Sequence, residues 1–530
     1  MVGSTFAFND PMRCQMKKSS GQCFLRRVSK DFMKKEIKNI LMIYPKYSKT
    51  FWSFEYVMKI LGRKAAYPPL GLLTVSSMLP GNWHKKLVDL NTEELDSSDI
   101  AWADYVMVSG MIVQKQSALK IIEMVRQKGK PVVGGGPLFS TGSISPNLVD
   151  HVFLGEAEDT IDDFVRDVGK GNLKKVYRGT GYPDIKRTPV PDWKLINIFS
   201  YHSMSLQYSR GCPFNCEFCD VVVLNGRTPR TKTKDQVISE LEELYRLGWR
   251  GNLFFVDDNL IGNKTRLKNI ILPAIIEWQQ SKRYPFSFNT QVSINLSDDK
   301  ELIRLMLDAG FTTVFIGIET PDEFSLEECS KYHNKDRDLV GSVKKLQNSG
   351  LEVQGGFIVG FDSDTTSIFQ RQIDFIQKSG IVTAMVGLLT ALPQTKLYKR
   401  LLDSNRILKE SSANNTSFTT MNFKPKMEIK TLFAGYKRMF ETIYNPRDYN
   451  ERIKTFIREF KPPKRKVFRI KIQKFHLRAL FGSIWDLGIK KSGRRYFWLL
   501  LLWVLVKYPG LTPHVIGYSL MGTHLRSLPI

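Results

Sequence analysis

Cysteine and histidine are scarce in this chain, which has six Cys and seven His among 530 residues. At this length six cysteines do not form the disulfide framework of a small secreted scaffold. The first 37 residues lack the apolar core of a secretory signal, and no apolar run reaches the roughly 20 residues that span a bilayer. We therefore expect a reducing, cytoplasmic environment.

Acidic residues are outnumbered: 78 Lys and Arg face 52 Asp and Glu, giving a net charge of +26. Residues 451–530 hold 17 Lys and Arg against 3 Asp and Glu. Such a basic tail binds anionic lipid, nucleic acid or neither. It also contains an eleven-residue apolar run from Tyr496 to Val506, flanked by Arg494, Arg495 and Lys507. This pattern is typical of a helix in a membrane interface; a buried helix with solvated charges is the alternative. We expect peripheral contact with the inner face of the membrane through this tail, and no nucleic acid.

Three of the six cysteines form one short motif, CxxxCxxC, at Cys212, Cys216 and Cys219. The nearest histidine, His202, is ten residues upstream, and no second cysteine pair follows. A structural zinc site is closed by four ligands, whereas three thiolates on a four-iron cluster leave one iron open for a substrate molecule. The spacing favours the iron–sulfur cluster. Zinc and three coincidental core cysteines remain alternatives.

The pattern of apolar segments predicts several domains, since the chain is too long for one core. Residues 1–37 are basic and poorly patterned, which predicts a loose extension. Residues 38–178 alternate strand and helix patterns, as in a Rossmann-like, doubly wound parallel sheet of the α/β class. After a linker over 179–204, six strand–helix units follow over 205–405. A further segment at 406–463 and a Trp/Leu-rich tail at 464–530 are predicted to be mainly helical.

The cysteine motif, with Phe218 before its last cysteine, resembles the CxxxCxΦC signature of the radical S-adenosylmethionine (radical SAM) superfamily. The resemblance implies that 205–405 forms a partial (β/α)6 TIM barrel, with the cysteine loop at the carboxyl end of its first strand. It also implies a 4Fe-4S cluster on the three cysteines, SAM chelated to the open iron, and an electron donor such as flavodoxin or ferredoxin. One electron would then cleave SAM to methionine and a 5′-deoxyadenosyl radical.

The same resemblance implies SAM contacts at the ends of the barrel strands. Asp257 and Asp258 would lie near the SAM amino group, although Asn259 beside them also suits a helix cap. Glu319 would accept from the ribose or ammonium groups, and the fifth strand would pack against adenine. The loop after the sixth strand has Gln394 where the superfamily usually has glycine. The implied SAM-binding residues are Phe218, Asp257, Asp258, Gln291, Glu319, Gly356, Ile358 and Gly360.

Short motifs before the barrel resemble, in their order, the cobalamin-binding domain of cobalamin-dependent (class B) radical SAM enzymes. They include Val88-Asp89-Leu90-Asn91 and Gly155-Glu156-Ala157-Glu158. Glycines after a strand let the backbone approach a ligand, but each glycine motif alone is explained as well by a turn of the chain. The DxHxxG motif is absent, which puts a lower axial histidine in doubt. The implied cobalamin-binding residues are Ser109, Gly110, Gly134, Gly135 and Gly136.

Within this family the chain is similar to hopanoid and bacteriochlorophyll methylases. The resemblance implies methylation of an unactivated carbon of a lipid or a pigment, with methylcobalamin as the methyl donor. A cobalamin-dependent cyclisation or rearrangement would share every motif. An RNA methylthiotransferase needs an N-terminal cysteine triad, but only Cys14 and Cys23 precede the barrel. A non-catalytic cobalamin-binding or lipid-binding protein would not need the intact cysteine loop.

Overall fold

A computed structural model describes residues 37–414, 421–462, 474–490 and 493–528. From Ile37 onward the chain packs as one compact unit. The extension expected over 1–37 lies, apart from Ile37, outside the described residues.

The first half of the described chain forms a six-stranded parallel sheet in the order β2-β1-β3-β4-β5-β6. Residues Ile40 to Ile43 of β1 are fully buried, and alternate side chains enter separate cores on the two faces. This is expected of a parallel strand with helices on both sides, and it confirms the doubly wound sheet. The strands are β1 (Asn39–Tyr44), β2 (His84–Asp89), β3 (Tyr105–Ser109), β4 (Val132–Gly135), β5 (His151–Leu154) and β6 (Val176–Arg178). The helices are α1 (Glu55–Leu61), α2 (Leu70–Met78), α3 (Ser97–Trp102), α4 (Lys115–Gln127), α5 (Pro137–Ser140) and α6 (Ile161–Lys170).

The second sheet also has six parallel strands, in the order β14-β13-β12-β11-β10-β7, so neighbours in sequence are neighbours in space. Helices connect the successive strands, and the sheet stays open between β7 and β14, as in the expected partial barrel. Its strands are β7 (Met204–Leu206), β10 (Asn252–Phe255), β11 (Ser287–Gln291), β12 (Phe311–Glu319), β13 (Glu352–Val359) and β14 (Ala384–Leu388). A short antiparallel ribbon joins β8 (Ser209–Arg210) to β9 (Arg230–Thr231). The helices are α7 (Val221–Asn225), α8 (Lys234–Arg246), α9 (Lys264–Arg266), α10 (Leu272–Ser281), α11 (Lys300–Ala309), α12 (Glu323–Glu328), α13 (Leu339–Ser349) and α14 (Ile368–Ser379).

The first barrel strand is shorter than the sequence predicts, ending at Leu206 rather than Ser209. The backbone amides of Tyr208 and Ser209 donate to the carboxylate of Asp257, at 3.0 and 2.5 Å, instead of to a neighbouring strand. The chain therefore leaves the sheet three residues earlier than predicted and enters the ribbon at the base of the cysteine loop.

The C-terminal region is helical, as predicted, and covers the edge strand β14. The hydroxyl groups of Tyr436 and Tyr444 donate to the carbonyl oxygens of Val386 and Ala384 on that strand, which protects an exposed sheet edge. Its helices are α15 (Lys396–Asp403), α16 (Ile429–Tyr444), α17 (Pro446–Glu459), α18 (Lys474–Trp485), α19 (Arg494–Lys507) and α20 (Thr512–Arg526).

The apolar run of the tail lies in α19, and its two faces differ. Phe497, Leu500 and Val504 are buried, while Leu499 and Val506 are 61% and 80% exposed. The inner face of α19 fits the prediction of a buried helix. The outer face is apolar and exposed, and its contact with a membrane interface stays a prediction. Among the described helices, none is both long enough and apolar enough to cross a membrane.

Candidate active site where two sheets meet

The cysteine loop follows β8, at the carboxyl end of the barrel sheet, and its three thiols are partly exposed. Burial raises the pKa of the thiols of Cys212, Cys216 and Cys219, and neighbouring thiols of the trio raise those of Cys212 and Cys219 further. Within the described ranges, no three His, Cys, Asp or Glu side chains are placed to hold a single metal ion. A loop that carries three soft sulfur donors suits an iron–sulfur cluster.

Two consecutive aspartates anchor the base of this loop. Asp257 is fully buried and accepts from the amides of Tyr208 and Ser209, and burial raises its pKa to about 7. Asp258 accepts from the amide of Gly211 at 3.0 Å and from Asn225 at 2.9 Å. Both oxygens of Asp257 thus accept hydrogen bonds that anchor the loop. The SAM contacts of Asp257 and Asp258 both stay predictions.

The helix cap considered for Asn259 is not formed, because its side chain makes no bond to the following turn. Instead its amide oxygen accepts from the Ser293 amide at 3.2 Å, which ties the ends of β10 and β11 together. The residues after the second strand therefore organise the carboxyl edge of the barrel.

A buried ion pair lies beside the cysteine loop. Glu319, the last residue of β12, has a left-handed backbone (φ 63°) and pairs with Lys331, with 2.6 Å between Oε1 and Nζ. Their exposures are 7% and 8%. Burial alone would lower the pKa of Lys331, but Glu319 and the Cys216 group raise it above its ordinary value. The lysine ammonium stands 6.0 Å from the centre of the Phe218 ring.

Lys331 escaped the sequence analysis, although one signal pointed to it. A carboxylate buried at a strand end needs a cation or a ligand. The sequence-based prediction for Glu319 named only a ligand, SAM, and no cation. The neighbours of Lys331 also contact the site: the Asn334 amide donates to the Ile318 carbonyl at 3.0 Å. His333 stacks on Phe214 of the cysteine loop, with ring centres 3.7 Å apart.

Arg400, on α15, holds the cysteine loop from another side. Its guanidinium bonds Glu217 within the loop at 2.6 Å, Asp362 after β13 at 2.8 Å, and Glu328 on α12 at 3.2 Å. The sequence analysis missed this residue, because its three partners are scattered along the chain. Its bidentate geometry is suited to joining carboxylates from separate elements.

Two of the residues predicted on the fifth strand face the barrel lumen. Gly356 and Ile358 lie on the same face of β13, and both are partly exposed. A Cβ on Gly356 would come within 2.9 Å of the Phe315 ring. Gly360 differs: it has φ of 105°, and a Cβ there would lie 3.3 Å from Met421 of the C-terminal region. The glycine at position 360 is therefore explained by the turn and its packing.

The lumen contains a cavity of about 200 Å³. Gln291, another predicted residue, lines it together with aromatic, apolar and uncharged polar side chains. None of its lining residues is Asp, Glu, Lys or Arg. Residues of α1 and Met521 of α20 close one side. The lining also includes Tyr67, His202, Asn289, Phe315 and Gln354.

The carboxyl edge of the N-terminal sheet meets the base of the cysteine loop through a buried charge cluster. Arg210, two residues before Cys212, pairs with Glu156 at 2.5 Å and with Glu158 at 2.9 Å. Arg230 of the ribbon also reaches Glu156 at 2.5 Å. The Gly-Glu-Ala-Glu motif and the cysteine motif, recognised separately in the sequence, are therefore in direct contact.

A second junction joins the start of the barrel to the same edge. The hydroxyl of Tyr201 donates to Asp89 at 2.9 Å, and Asn91 donates to the same carboxylate. Gln394 adds a third link, because its amide donates to the Ser140 carbonyl at 3.2 Å. Its φ of 67° is the left-handed conformation that glycine adopts easily. Gln394 therefore keeps the turn that the superfamily usually forms with glycine.

The glycines at this edge divide into two groups. A Cβ on Gly134 would come within 2.6 Å of the Phe139 ring, and one on Gly110 within 3.0 Å of Gln114, so packing explains both. At Gly135 a Cβ would meet only ordinary contact, 3.7 Å from Phe153. Three residues at the edge are partly exposed: Ser109, Gly135 and Gly136. A Cβ on Gly136 would collide with the Ser109 hydroxyl, so packing accounts for that glycine too, whereas Gly135 is open to a ligand.

Strands β1 to β6 bring no histidine to this carboxyl edge. His84 and His151 are the first residues of β2 and β5, so both lie at the opposite, amino-terminal edge of the sheet. The open backbone at Gly135 fits a planar group against the strand ends, where ligands of doubly wound sheets bind.

Comparison with known proteins agrees with this geometry. Residues 206–376 match the Radical SAM superfamily, and residues 395–529 match a domain of unknown function, DUF4070. An uncharacterized methyltransferase of Synechocystis sp. is 40% identical, over 91% of this chain and 90% of that protein. Hopanoid C-2 methylase of Rhodopseudomonas palustris is 32% identical, over 89% and 90%.

The fold is shared with a solved radical SAM methyltransferase. TsrM from Kitasatospora setae, solved with cobalamin and a [4Fe-4S] cluster bound, superimposes with a TM-score of 0.62 at 13% identity, covering 93% of this chain and 99% of that chain. Fold and cysteine loop together define a radical SAM enzyme. The chain belongs to the family of radical SAM methyltransferases that includes the hopanoid C-2 methylase.

Proposed function

We propose that this enzyme methylates an unactivated carbon of a lipid or pigment, using a 4Fe-4S cluster, SAM and cobalamin. The observation that carries the proposal is the contact between Arg210 at the base of the cysteine loop and Glu156 at the edge of the N-terminal sheet. Because the carboxyl ends of both sheets meet there, a group on one faces a group on the other. The similarity to a hopanoid methylase supports the same reaction class.

The bound groups supply the difficult chemistry: the cluster and SAM open an inert C–H bond, and cobalamin supplies the methyl group. The protein holds and orients them. Cys212, Cys216 and Cys219 bind the cluster, and the pair of Glu319 and Lys331 keeps fixed charges beside it. At the sheet edge, Ser109, Gly135 and Gly136 would contact cobalamin, with the open backbone at Gly135.

No residue of the cysteine loop lines the charge-free lumen cavity. If the body of the substrate occupies this cavity, it is neutral and largely apolar. A carboxylate placed in this lumen would be desolvated without a cationic partner among the lining residues, which is costly. Apolar rings and neutral amides instead accept a hydrocarbon body and hydroxyl or carbonyl groups. We therefore rank a neutral lipid ahead of a carboxylate-bearing pigment.

Anaerobic turnover tests the reaction. The reconstituted protein is incubated with a lipid extract, cobalamin, SAM and reduced flavodoxin or ferredoxin. The masses of the products are measured by mass spectrometry. We expect a lipid heavier by one methyl group, together with 5′-deoxyadenosine. Formation of 5′-deoxyadenosine with an isomerised or cyclised product of unchanged carbon number would favour the alternative reaction.

Substitution of adjacent glycines tests the cobalamin site. A Cβ at position 135 meets only ordinary contact, and the side chain of Gly135→Leu would occupy the open edge. Hydroxocobalamin uptake should therefore fall at least tenfold while thermal stability is kept. Gly134→Ala, the matched control, collides with Phe139 and should destabilise the fold by about 1–3 kcal/mol. Absorbance titration of the full-length protein measures uptake. Normal uptake by Gly135→Leu would place cobalamin elsewhere.

We propose that the enzyme acts in the cytoplasm, at the inner face of the membrane. A labile cluster and a low-potential donor suit the cytoplasm, and a lipid substrate brings the enzyme to the inner face of the membrane. The basic tail, with its exposed leucines, supports peripheral contact there.

A further inference from the structure

The outer face of α19 is apolar although it packs against nothing described. Core packing requires only the inner face, where Phe497, Leu500 and Val504 are buried. Positions 499, 502 and 506 recur at helical spacing on the opposite side. These outward residues, exposed by 61%, 56% and 80%, are Leu499, Leu502 and Val506. A helix that is apolar on both sides normally has both covered, so this face is fitted to a partner.

Cations border the same face in positions that do not favour the helices. Arg494 and Arg495 occupy the first turn of α19, and Arg447 occupies the first turn of α17. The amino end of a helix already carries positive potential, so a cation there is unfavourable. Residues that break a local rule without a folding benefit are candidates for function.

A positively charged groove opens next to Leu499. It has a volume of about 280 Å³ and is lined by Arg447, Lys454 and Arg495. Its single carboxylate, Glu451, is paired with Lys454 at 2.8 Å. The groove therefore keeps an excess of positive charge beside an apolar surface, which complements an anionic headgroup above acyl chains.

We propose that the outer face of α19 and this groove bind the surface of an anionic phospholipid membrane, with the helix lying in the plane of the interface. The inference rests on the proposed lipid substrate and adds the surface and the lipid charge. The 14 residues of α19 extend about 21 Å, short of the roughly 30 Å hydrocarbon core. Arginines at one end and Lys507 at the other can reach phosphates while the leucines enter the acyl region.

The charges argue against a second copy of the chain as the occupant. In a two-fold dimer the same patch meets itself, which would bring the arginines of both grooves together, and like charges across an interface are unfavourable. Nucleic acid would leave the exposed leucines in water. A lipid surface satisfies both the cations and the apolar side chains.

The membrane surface and the substrate cavity share one helical unit. Helix α20 packs against α19 and supplies Met521 to the lining of the lumen cavity. A membrane under α19 thus lies against the same layer of helices that closes the cavity, which suits an enzyme whose substrate comes from the bilayer.

Vesicle flotation of the full-length protein tests the proposal. We expect binding to phosphatidylcholine vesicles that contain phosphatidylglycerol, weaker binding to pure phosphatidylcholine, and loss at high salt. Arg447→Gln with Arg495→Gln should weaken binding about 25-fold, since each surface cation contributes about a factor of five. Leu499→Gln with Leu502→Gln and Val506→Gln should weaken it at least as much. The matched control combines Arg126→Gln, within α4, with Lys128→Gln, just after it; both positions are exposed. This variant should bind vesicles as the parent protein does.

Three outcomes are decisive. Unchanged binding by the arginine pair overturns the proposal, and so does a switch from dimer to monomer in the leucine variant without a change in flotation. Formation of 5′-deoxyadenosine in lipid-free buffer at the parent rate shows that each variant is folded and loaded. If the parent protein binds vesicles but never methylates lipid, the proposed function fails while the membrane surface stands.

Discussion

Cys212→Ala, Cys216→Ala or Cys219→Ala is expected to abolish the iron–sulfur absorbance and all cleavage of SAM. Each replacement leaves two thiolates where the cluster needs three, and the loop offers no fourth sulfur. Iron, sulfide and zinc analysis of anaerobically prepared protein, with quantitation of 5′-deoxyadenosine, measures the effect. The rest of the fold should be kept, because Asp257 and Asp258 fix the base of the loop through backbone amides.

Cys329→Ala is the matched control for this prediction. Cys329 is buried next to the loop, and its carbonyl accepts from the amide of Glu217 at 2.9 Å. Its thiol is close enough to Cys216 for that group to raise its pKa, although burial is the larger cause. We expect this variant to keep its cluster. Full iron content in a triad variant, or stoichiometric zinc in the parent, would overturn the ligand assignment.

Arg210→Ala should lower the free energy of unfolding by about 3–5 kcal/mol, because it leaves buried Glu158 without its cation and Glu156 with Arg230 alone. The side chains of Glu156 and Glu158 are only 9% and 4% exposed. Loss of the arginine should also loosen the cysteine loop and lower cluster content. Chemical denaturation and iron analysis of the same preparations measure both effects.

The pH dependence of Arg210→Ala follows from Glu158. Burial alone would raise the pKa of this carboxyl, but Arg210 holds it below the ordinary value. A lowered pKa contributes stability above the ordinary pKa, and that contribution is lost as pH falls through the folded-state value. The difference between variant and parent should therefore shrink in mild acid, where Glu158 of the variant becomes neutral.

Arg166→Ala is the control for charge removal. Arg166 also pairs with an aspartate, Asp163, at 2.6 Å, but the two side chains are 52% and 43% exposed. Exposed pairs contribute little, so this variant should unfold as the parent does. Arg210→Lys should recover only part of the stability, because an ammonium cannot bond two carboxylates with the fork geometry of a guanidinium. Equal denaturation curves for Arg210→Ala and the parent would contradict the charge cluster.

Sequence patterns predicted the strands well, because a parallel strand covered on both faces needs a continuous apolar run. The run at 40–44 corresponds to β1 (Asn39–Tyr44), and the cysteine loop follows the first barrel strand as expected. The ion pair of Glu319 with Lys331 was not predicted, since a loop and a short helix separate them. Arg210 and Glu156 are 54 positions apart, and their contact depends on how the two sheets pack.

Glycine shows the limit of sequence motifs most clearly. Gly134 and Gly135 are adjacent in one motif, yet a ring of the protein fills the space beside the first and the second is open. Similarly, Gly356 faces the lumen while Gly360 serves a turn against the C-terminal region. A missing side chain makes room, but only the fold determines whether the protein or a ligand takes it.

The hydrogen bonds from the stem of the cysteine loop to Asp257 and Asp258 have a practical consequence for handling the enzyme in air. These bonds use peptide groups and carboxylates, none of which needs iron. Oxidative loss of the metal should therefore leave the stem of the cysteine loop already in its final conformation. Iron and sulfide added back under nitrogen should restore the enzyme within one incubation, without an unfolding and refolding step.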